Sequence, residues 1–464
     1  MFDDWIDVLL SGSLEIKLPQ IAATSGSTPP MQGSGTISWD ADSGIRIQAV
    51  TDGARGLDSL FSGVVPMPGT LIPHSEYLTF SGQTQHGWDV STCPTNRDGI
   101  HLNSARPEVV WDLQTHGLTL EHKTSDEAKR RIRILMGPLP QGGWTRFSDI
   151  EDNNPFFGGK SGSRDWLYSR GEFGEVAARR RSDEWFEVVV LPADDKALGE
   201  AHVIITAVAR AFGFILGRRS AIRGHEEING GKTTRVLDTR QRVSTTNTIL
   251  PPLGWQLTYM GNVEPLLGPT IDFFLTELGE KVASYLYVCW DAADNAHATQ
   301  LAISSICVEG LLKLAAKMMG PAEPDDCDAD LAALGAWIAT KPAGFSPQFL
   351  ARLVGMRPTF SSLSPKDIFR DWIRRGVLGV TVDDMKAWSE TRNPSAHGKL
   401  STTVDSQPKL QDRVTRHARV QSVLNRIILK LIGYTGEYID YSRPGHFPAV
   451  FPSEPVPPSE GVTP

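Results

Sequence analysis

The spacing of apolar residues changes once along this chain, near residue 266, and that change constrains the fold more than any other feature. Before it, short segments of alternating apolar and polar residues, such as Thr36–Asp40 and Gly44–Val50, are separated by glycine and proline. Such alternation predicts half-buried β-strands joined by tight turns. After it, apolar residues recur at helical spacing over longer stretches. Because 464 residues are many for one core, we expect an α+β protein with more than one domain.

Three regions are expected. Residues 1–265 are predicted to form a sandwich-like or barrel-like β domain, residues 266–445 an all-α bundle, and residues 446–464 a Pro-rich flexible tail. Ala22–Gly35, rich in Gly, Ser, Thr and Pro, is predicted to be a loop. Further strands are expected at Gly69–Ile72, Tyr77–Ser81, Val109–Leu113, Leu118–His122 and Glu184–Pro192, and a helix at His202–Leu216. The later helices are expected at Ile271–Trp290, His297–Met319, Asp328–Ile338, Pro347–Leu353, Lys366–Arg375, Val382–Arg392 and Leu410–Leu431.

Charge and cysteine content limit the class of function. The net charge is -8 and the isoelectric point is near 5.8, so any RNA-binding surface must be a local patch. The four cysteines lack the spacing of a zinc site, which favours incidental thiols in a reducing cytosol. The acidic N-terminus is unlike a secretory signal, and no apolar run is long enough to span a bilayer. We therefore expect a cytoplasmic protein without membrane association.

Two other motifs have an ordinary structural interpretation. Asn229–Thr234, "NGGKTT", suggests a phosphate-binding loop, but Glu226 stands where that pattern needs its first glycine. A hairpin turn at Gly230-Gly231 is predicted instead, and this segment is rejected as an ATP or GTP site. The basic run Ala177–Arg181 is interpreted as a solvated face in preference to an RNA contact.

The residues that point to chemistry are in Thr391–Gly398. Arg392 is always cationic and can hold a phosphate at two oxygens. His397 can take and give a proton near neutral pH. An RNA strand supplies its own nucleophile, the 2′-hydroxyl, so cleavage by such a pair requires neither a metal nor a cofactor. The bare pattern R-x4-H is weak, since cations at a helix C-terminus also offset the helix dipole.

The setting of the motif makes it more specific. Thr381 is predicted to cap a helix with Asp384 three residues later, and Val382, Met385 and Trp388 mark an apolar face. Pro394 disfavours a helical conformation at the residue before it and is predicted to end or kink the helix there. Five residues on an unbroken helix would place two side chains about 140° apart. The break is therefore expected to let Arg392 and His397 converge.

Trp388–Gly398, "WSETRNPSAHG", resembles the R-x4-6-H motif of the HEPN superfamily of RNases, and most resembles the ApeA-like branch of prokaryotic anti-phage proteins. The helix "AISSICVEGLLKL" around Glu309 and the segment "LIGYTGEYIDY" from Leu431 to Tyr441 add to the resemblance. That family has a β-rich N-terminal domain followed by a helical HEPN domain. The resemblance would thus cover most of the chain.

The resemblance implies an endoribonuclease with His397 as general acid or base, Arg392 as the phosphorane stabiliser and Asn393 orienting the phosphate or His397. The implied products carry a 2′,3′-cyclic phosphate and a 5′-hydroxyl. HEPN domains pair, which implies a homodimer. The family also implies cleavage of tRNA or other cellular RNA in abortive infection, with the N-terminal domain sensing a phage-derived trigger. The alternative is a non-catalytic HEPN module that binds RNA, a nucleotide or a protein partner.

For Glu309, and for the basic residues of the last long helix, the sequence leaves two interpretations open. Glu309 lies on an apolar stripe with Ala302, Ile306 and Leu312, so its carboxylate needs a partner. That partner is either Lys313, as an ordinary helix ion pair, or the motif, where Glu309 would orient Arg392 or His397. On the predicted helix Leu410–Leu431, a basic rim forms either a wall that contacts RNA phosphates or an exposed face of snorkelling side chains. The rim consists of Arg413, Arg416, His417, Arg419, Arg426 and Lys430. The rim residues predicted to bind RNA are Arg413, Arg416 and Arg419.

Overall fold

The computed structural model describes residues 4–25, 30–52, 77–94, 100–102, 108–123, 128–138, 156, 166–193, 199–240, 249–254, 260–293, 295, 297–319, 327–341, 343–360, 364–396, 407–443, 445 and 448–451. The chain divides into two compact units. One comprises residues 1–212, 220–245 and 257–272, and the other comprises residues 213–219, 246–256 and 273–464. The first is rich in strands and the second in helices, so the described residues form the α+β protein expected from the sequence.

In its described residues the first unit contains one antiparallel sheet of fourteen strands. The strands are β1 (Ser13–Ser25), β2 (Met31–Asp40), β3 (Gly44–Asp52), β4 (Leu78–Gln83), β5 (Asp89–Thr92), β6 (Ile100–Leu102), β7 (Glu108–Thr115), β8 (Gly117–Lys123), β9 (Arg131–Gly137), β10 (Trp166–Gly171), β11 (Gly174–Arg180), β12 (Phe186–Pro192), β13 (Ala221–Asn229) and β14 (Lys232–Asp238). Their hydrogen-bonded order is β10-β11-β12-β9-β13-β14-β8-β5-β4-β1-β2-β3-β7-β6. Two helices, α1 (Trp5–Ser11) and α2 (Ala201–Leu216), precede β1 and β13.

The β2–β3 hairpin shows how the alternating pattern works. Ile45, Ile47 and Ala49 are buried on one face of β3, while the residues between them are exposed. The hairpin turns over residues 41–43, where the Asp40 carboxylate accepts backbone N–H bonds from Asp42 at 3.0 Å and from Ser43 at 3.1 Å. The strands predicted at Thr36–Asp40 and Gly44–Val50 are therefore confirmed.

The sheet curls on itself. Phe80 on β4 and Trp111 on β7 are four strands apart in the hydrogen-bonded order, which in a flat sheet would be roughly 19 Å. Their ring centroids are 5.5 Å apart in an edge-to-face contact. Both side chains belong to one apolar core, to which α1 contributes Trp5 and other residues. The inward face of the curved sheet is thus the core of this unit.

Three expectations in the β region have different outcomes. The predicted loop Ala22–Gly35 is too long, because β1 continues to Ser25 and β2 begins at Met31. Pairing with neighbouring strands overrides the weak strand preference of the small residues. The turn at Gly230-Gly231 is confirmed, since Asn229 pairs with Lys232 and both glycines have positive φ. The predicted strand Gly69–Ile72 lies outside the described residues.

Two of the three arginines in Ala177–Arg181 belong to a buried ion-pair network, so the interpretation as a solvated face is wrong for Arg179 and Arg181. Arg180 is more exposed and pairs with the exposed Asp183. Glu187 is fully buried on β12 and accepts hydrogen bonds of 2.8 Å each from Arg133, Arg179 and Arg181. Burial raises the pKa of Glu187, but Arg133 and Arg179 outweigh it and hold the pKa below its usual value. These arginines compensate a buried carboxylate, and the alternation along β11 brings Arg179 and Arg181 to it.

The helices after the sheet are α3 (Met260–Phe274), α4 (Glu277–Ala293), α5 (His297–Met318), α6 (Cys327–Ala339), α7 (Pro347–Phe360), α8 (Pro365–Arg375), α9 (Val382–Ala396) and α10 (Gln407–Ile432). A 3-10 turn, Val377–Gly379, precedes α9, and a small hairpin of β15 (Gly436–Ile439) and β16 (Pro448–Phe451) follows α10.

The single helix expected over Ile271–Trp290 is broken, because Thr276 accepts a 3.0 Å hydrogen bond from the Gly279 N–H and so caps a new helix. In the predicted tail, residues 448–451 form β16 and residues 452–464 lie outside the described residues.

Helix α5 is the central element of the helical unit. It packs against α4, α8, α9 and α10, and its side chains Val308, Leu311 and Leu312 are fully buried. The face of α5 that carries Glu309 is turned towards α9. The fold therefore places Glu309 beside the helix that carries Arg392.

Candidate functional site

Helix α9 begins with the capping box expected from the sequence. The Thr381 N–H donates to a carboxylate oxygen of Asp384 at 3.1 Å, and the Asp384 N–H donates to the Thr381 hydroxyl at 3.2 Å. Two otherwise unsatisfied amides at the helix start are satisfied in this way. The prediction of a helix start at Thr381 is confirmed.

The capping carboxylate is also the centre of a buried ion-pair cluster. Asp384 is fully buried and accepts hydrogen bonds from Arg419 at 3.2 Å and from Arg426 at 3.1 Å, both on α10. Arg426 is buried as well and donates to the carbonyl oxygens of Leu378 and Gly379. Burial lowers the pKa of Arg426, but Asp384, Asp440 and Tyr438 together outweigh it, so the pKa lies above its usual value. This cluster attaches the start of α9 to α10.

The buried face of α9 differs from the expected one. Val382, predicted to lie on an apolar face, is 58% exposed. The buried residues are instead Asp384, Ala387, Trp388 and Thr391, which follow the spacing of one helix face. Asp384 takes the inward place because its two arginine partners are there. The Trp388 indole N–H donates to the Ser305 carbonyl of α5 at 2.9 Å, which holds the middle of α9 against α5.

One turn after Trp388, Arg392 contacts Glu309. The Arg392 Nε donates to Glu309 Oε2 at 2.7 Å, and the Lys313 ammonium donates to Glu309 Oε1 at 3.0 Å. The sequence left open whether Glu309 pairs with Lys313 or with the motif, and in the structure it binds both Lys313 and Arg392. Ile306, expected on the same apolar stripe as Glu309, is exposed. Glu309 therefore lies at the edge of the buried face of α5 and not within it.

The Glu309 cluster is only partly buried. The side chains of Glu309, Arg392 and Lys313 are 19%, 40% and 51% exposed. Burial raises the pKa of Glu309, but the hydrogen bonds from Arg392 and Lys313 outweigh it and hold the pKa below its usual value. Glu309 is thus a carboxylate at neutral pH, and it fixes one edge of the Arg392 guanidinium. The second donor edge, made by the two Nη groups, lies outside this ion pair and has the geometry to meet two phosphate oxygens.

The C-terminal end of α9 departs from the prediction. The helix continues past Pro394 to Ala396, so the expected end at Asn393 is wrong, while the alternative of a kink at Pro394 stays a prediction. Pro394 lies in the last turn, where the loss of one N–H removes a single helix hydrogen bond. The side chain of Asn393 and the whole of His397 lie outside the described residues. The convergence of Arg392 with His397 stays a prediction.

The predicted RNA-binding residues of α10 are paired with carboxylates to different extents. Arg419 is held by Asp384 and, at 3.5 Å, by Asp383. Arg416 pairs with Asp412 one turn away at 2.6 Å, and Arg413 is half-buried. Arg419 therefore contributes to the fold through Asp384. An RNA contact by Arg413, Arg416 or Arg419 stays a prediction.

The prediction from the sequence was most clearly wrong for Arg426. It was expected on the basic rim, yet it is almost fully buried and bonded to Asp384. Its neighbours Leu424, Ile427 and Ile428 are fully buried, and that apolar environment was the available signal. A lone arginine within such a run requires a buried carboxylate partner.

No protein-family model, no curated protein and no solved structure matches this chain. Every helix in the described part of the chain is too short or too polar to traverse a bilayer. Among the same residues, His, Cys, Asp and Glu side chains do not gather in groups of three or more that could hold a metal ion. Function must therefore be inferred from the chemistry of the Arg392 cluster and from the motif around it.

Proposed function

We propose that this chain is a metal-independent endoribonuclease of the HEPN type, with Arg392 as its phosphate-binding arginine. The observation that carries the proposal is the 2.7 Å hydrogen bond from Arg392 Nε to Glu309 Oε2. This bond joins residues 83 positions apart in the chain and orients a half-exposed guanidinium at the end of α9. A fixed arginine five residues before a histidine, as in the R-x4-H motif, is the arrangement that the resemblance to HEPN RNases leads one to expect.

The proposed reaction is an internal transesterification of RNA. The 2′-oxygen attacks the adjacent phosphorus, the bond from phosphorus to the 5′-oxygen breaks, and the products are a 2′,3′-cyclic phosphate and a 5′-hydroxyl. His397 removes the proton from the 2′-hydroxyl or protonates the departing 5′-oxygen. Arg392 stabilises the charge that develops on the phosphorane oxygens, Glu309 holds the guanidinium in place, and Asn393 orients the phosphate or His397.

The biological setting in this proposal comes from the resemblance to ApeA-like HEPN proteins. The chain acts in the cytoplasm as a homodimer in which two HEPN domains face one cleft. The β-rich domain senses a phage-derived trigger, and the nuclease then cleaves tRNA or other cellular RNA in abortive infection. A non-catalytic HEPN module that grips RNA, a nucleotide or a partner protein is the second candidate, since binding alone also benefits from a guanidinium held by Glu309.

The test is to incubate total RNA with the purified wild-type protein, Arg392→Ala and His397→Ala in the presence of EDTA. The nuclease proposal predicts cleavage by the wild type alone, with 2′,3′-cyclic phosphate ends on the products. Equal cleavage by all three proteins would contradict it, because the activity would then not depend on the motif. RNA binding without cleavage by the wild type would favour the second candidate.

A further inference from the structure

We infer that Lys313 is a second phosphate-binding residue of this site and contacts the RNA strand beside the phosphate that Arg392 holds. The inference rests on the proposed ribonuclease function. It assigns a role in substrate binding to a side chain that the sequence presented only as the partner of Glu309 in an ordinary helix ion pair.

The first support is the geometry of the two cations. Glu309 and Lys313 are four residues apart on α5 and share one face of that helix. Arg392 reaches the same carboxylate from α9, at the other oxygen. The guanidinium and the ammonium are therefore separated by the width of one carboxylate and two hydrogen bonds. Two donors this close can contact one stretch of phosphodiester backbone together.

The second support is the balance of charge. The cluster contains two cations and one carboxylate, so one positive charge is left over. The carboxylate is the least exposed of the three groups, whereas Lys313 is half-exposed. An ion pair at this level of exposure contributes little to stability, so the fold does not require Lys313. In a chain with a net charge of -8, such a patch is the local kind of attraction that an anionic substrate needs.

The third support is the register between the two helices. Trp388 is bonded to Ser305, and Arg392, four residues later, is bonded to Glu309, also four residues later. The two helices therefore advance in the same direction along this contact. One further turn of α9, which ends at Ala396, is level with Lys313. Lys313 therefore lies beyond Arg392 in the direction in which α9 runs from Arg392 towards Ala396.

The experiment measures binding of fluorescently labelled bulk tRNA by fluorescence anisotropy at several salt concentrations. It uses the full chain with His397→Ala, so that cleavage does not consume the probe, and EDTA is present. Lys313→Gln and Lys313→Arg are introduced into this background. The matched control is Lys281→Gln on α4, because Lys281 is similarly exposed and makes a comparable i,i+4 ion pair with Glu277 at 2.7 Å.

We expect Lys313→Gln to weaken binding several-fold and to reduce the slope of log affinity against log salt by about 0.7 to 0.9, the change for one lost phosphate contact. A purely structural role would not change that slope. Lys313→Arg should retain the wild-type slope, and Lys281→Gln should match the parent in both affinity and slope.

Two results would overturn the proposed role of Lys313 without contradicting the proposed ribonuclease function. One is an unchanged affinity and slope in Lys313→Gln although the wild type cleaves total RNA. The other is an equal loss in Lys313→Gln and Lys281→Gln, which would show a general charge effect. If the wild type cleaves no RNA and the His397→Ala protein binds no tRNA, the proposed function and this inference both fall.

Discussion

The two ends of helix α9 carry the same chemical arrangement in different surroundings. At its start, the Asp384 carboxylate lies between two cations, Arg419 and Arg426. Near its end, the Glu309 carboxylate lies between Arg392 and Lys313. Asp384 is fully buried, whereas two of the three groups in the Glu309 cluster are at least 40% exposed.

The difference in burial separates a structural cluster from a candidate functional one. A buried charge must be compensated, so losing one member of the Asp384 cluster leaves another charge without a partner in a dry environment. A half-exposed cluster gains little from its ion pairs because water competes for them. Its cations are therefore available to an incoming anion. If this is right, mutations at the two ends of α9 should act on different measured quantities.

The largest expected effect is on folding at the buried end. Asp384→Ala removes the carboxylate between Arg419 and Arg426 and should lower the free energy of unfolding by about 3–5 kcal/mol. Urea denaturation followed by circular dichroism measures this. The control is Asp383→Ala, which removes an exposed carboxylate at 3.5 Å from Arg419 and should cost less than about 1 kcal/mol. Equal costs for the two variants would contradict the distinction between the two ends.

Arg419→Ala separates the two roles considered for this residue, the predicted RNA contact and the observed hydrogen bond to Asp384. It should lower the free energy of unfolding by about 2 kcal/mol, the range of a lost hydrogen bond to a charged group. The cleavage rate per folded molecule should not change. A large loss of cleavage at normal stability would restore Arg419 to the substrate-binding surface.

Glu309→Gln should have a smaller effect, and on activity. The neutral amide can still accept a hydrogen bond from Arg392, but it loses the charge that fixes the guanidinium. RNA cleavage should fall about tenfold, equivalent to about 1.4 kcal/mol, while the free energy of unfolding changes by less than about 1 kcal/mol. Single-turnover cleavage and urea denaturation of the same preparations measure both. A change in stability alone would mean that Glu309 serves only the fold.

The smallest expected effect is on the pH dependence of stability. Asp440 is buried, which raises its pKa, but Arg426, Ser442 and Arg443 together outweigh this, so the pKa lies below the usual 3.8. Glu309 also has a lowered pKa. A carboxyl group with a lowered folded-state pKa stabilises the protein above its unfolded pKa and loses that contribution as the pH falls through the folded pKa.

Below about pH 4 the wild type should therefore lose stability, and Asp440→Asn should lose less of it over the same interval. Glu309→Gln should follow the wild type more closely, since its partly exposed ion pairs are screened by solvent. Urea denaturation between pH 6 and pH 2 measures these slopes. A larger change in Glu309→Gln than in Asp440→Asn would contradict the expectation that the buried carboxylate contributes more to stability than the partly exposed one.

Local signals in the sequence predicted the local structure well. The start of α9 follows from a hydroxyl and a carboxylate three residues apart, which make their hydrogen bonds within one turn. The helix end predicted at Asn393 was wrong, because Pro394 lies in the last turn of α9, where its disruption of the helix affects only the end. The strands around Gly44–Val50 were predictable because one face of the sheet is buried and the alternation follows from that.

What the sequence could not predict depends on contacts between distant residues. Asp384 and Arg426 are 42 residues apart, and nothing in either local pattern indicates that each compensates the burial of the other. The apolar face of α9 was therefore misassigned at Val382. For Glu309 the sequence predicted two alternative partners, because helical spacing reveals Lys313 but not a residue on another helix. In the folded protein Glu309 binds both partners, Lys313 and Arg392.

The most direct test of the account is to measure RNA cleavage and stability together in Arg392→Ala. The account predicts that cleavage of total RNA in EDTA falls by more than about a hundredfold, as when one transition-state donor is removed. The free energy of unfolding should stay within about 1 kcal/mol of the wild type, because the Arg392–Glu309 pair is partly exposed. Wild-type cleavage by Arg392→Ala, or a loss of cleavage explained by unfolding, would contradict the account.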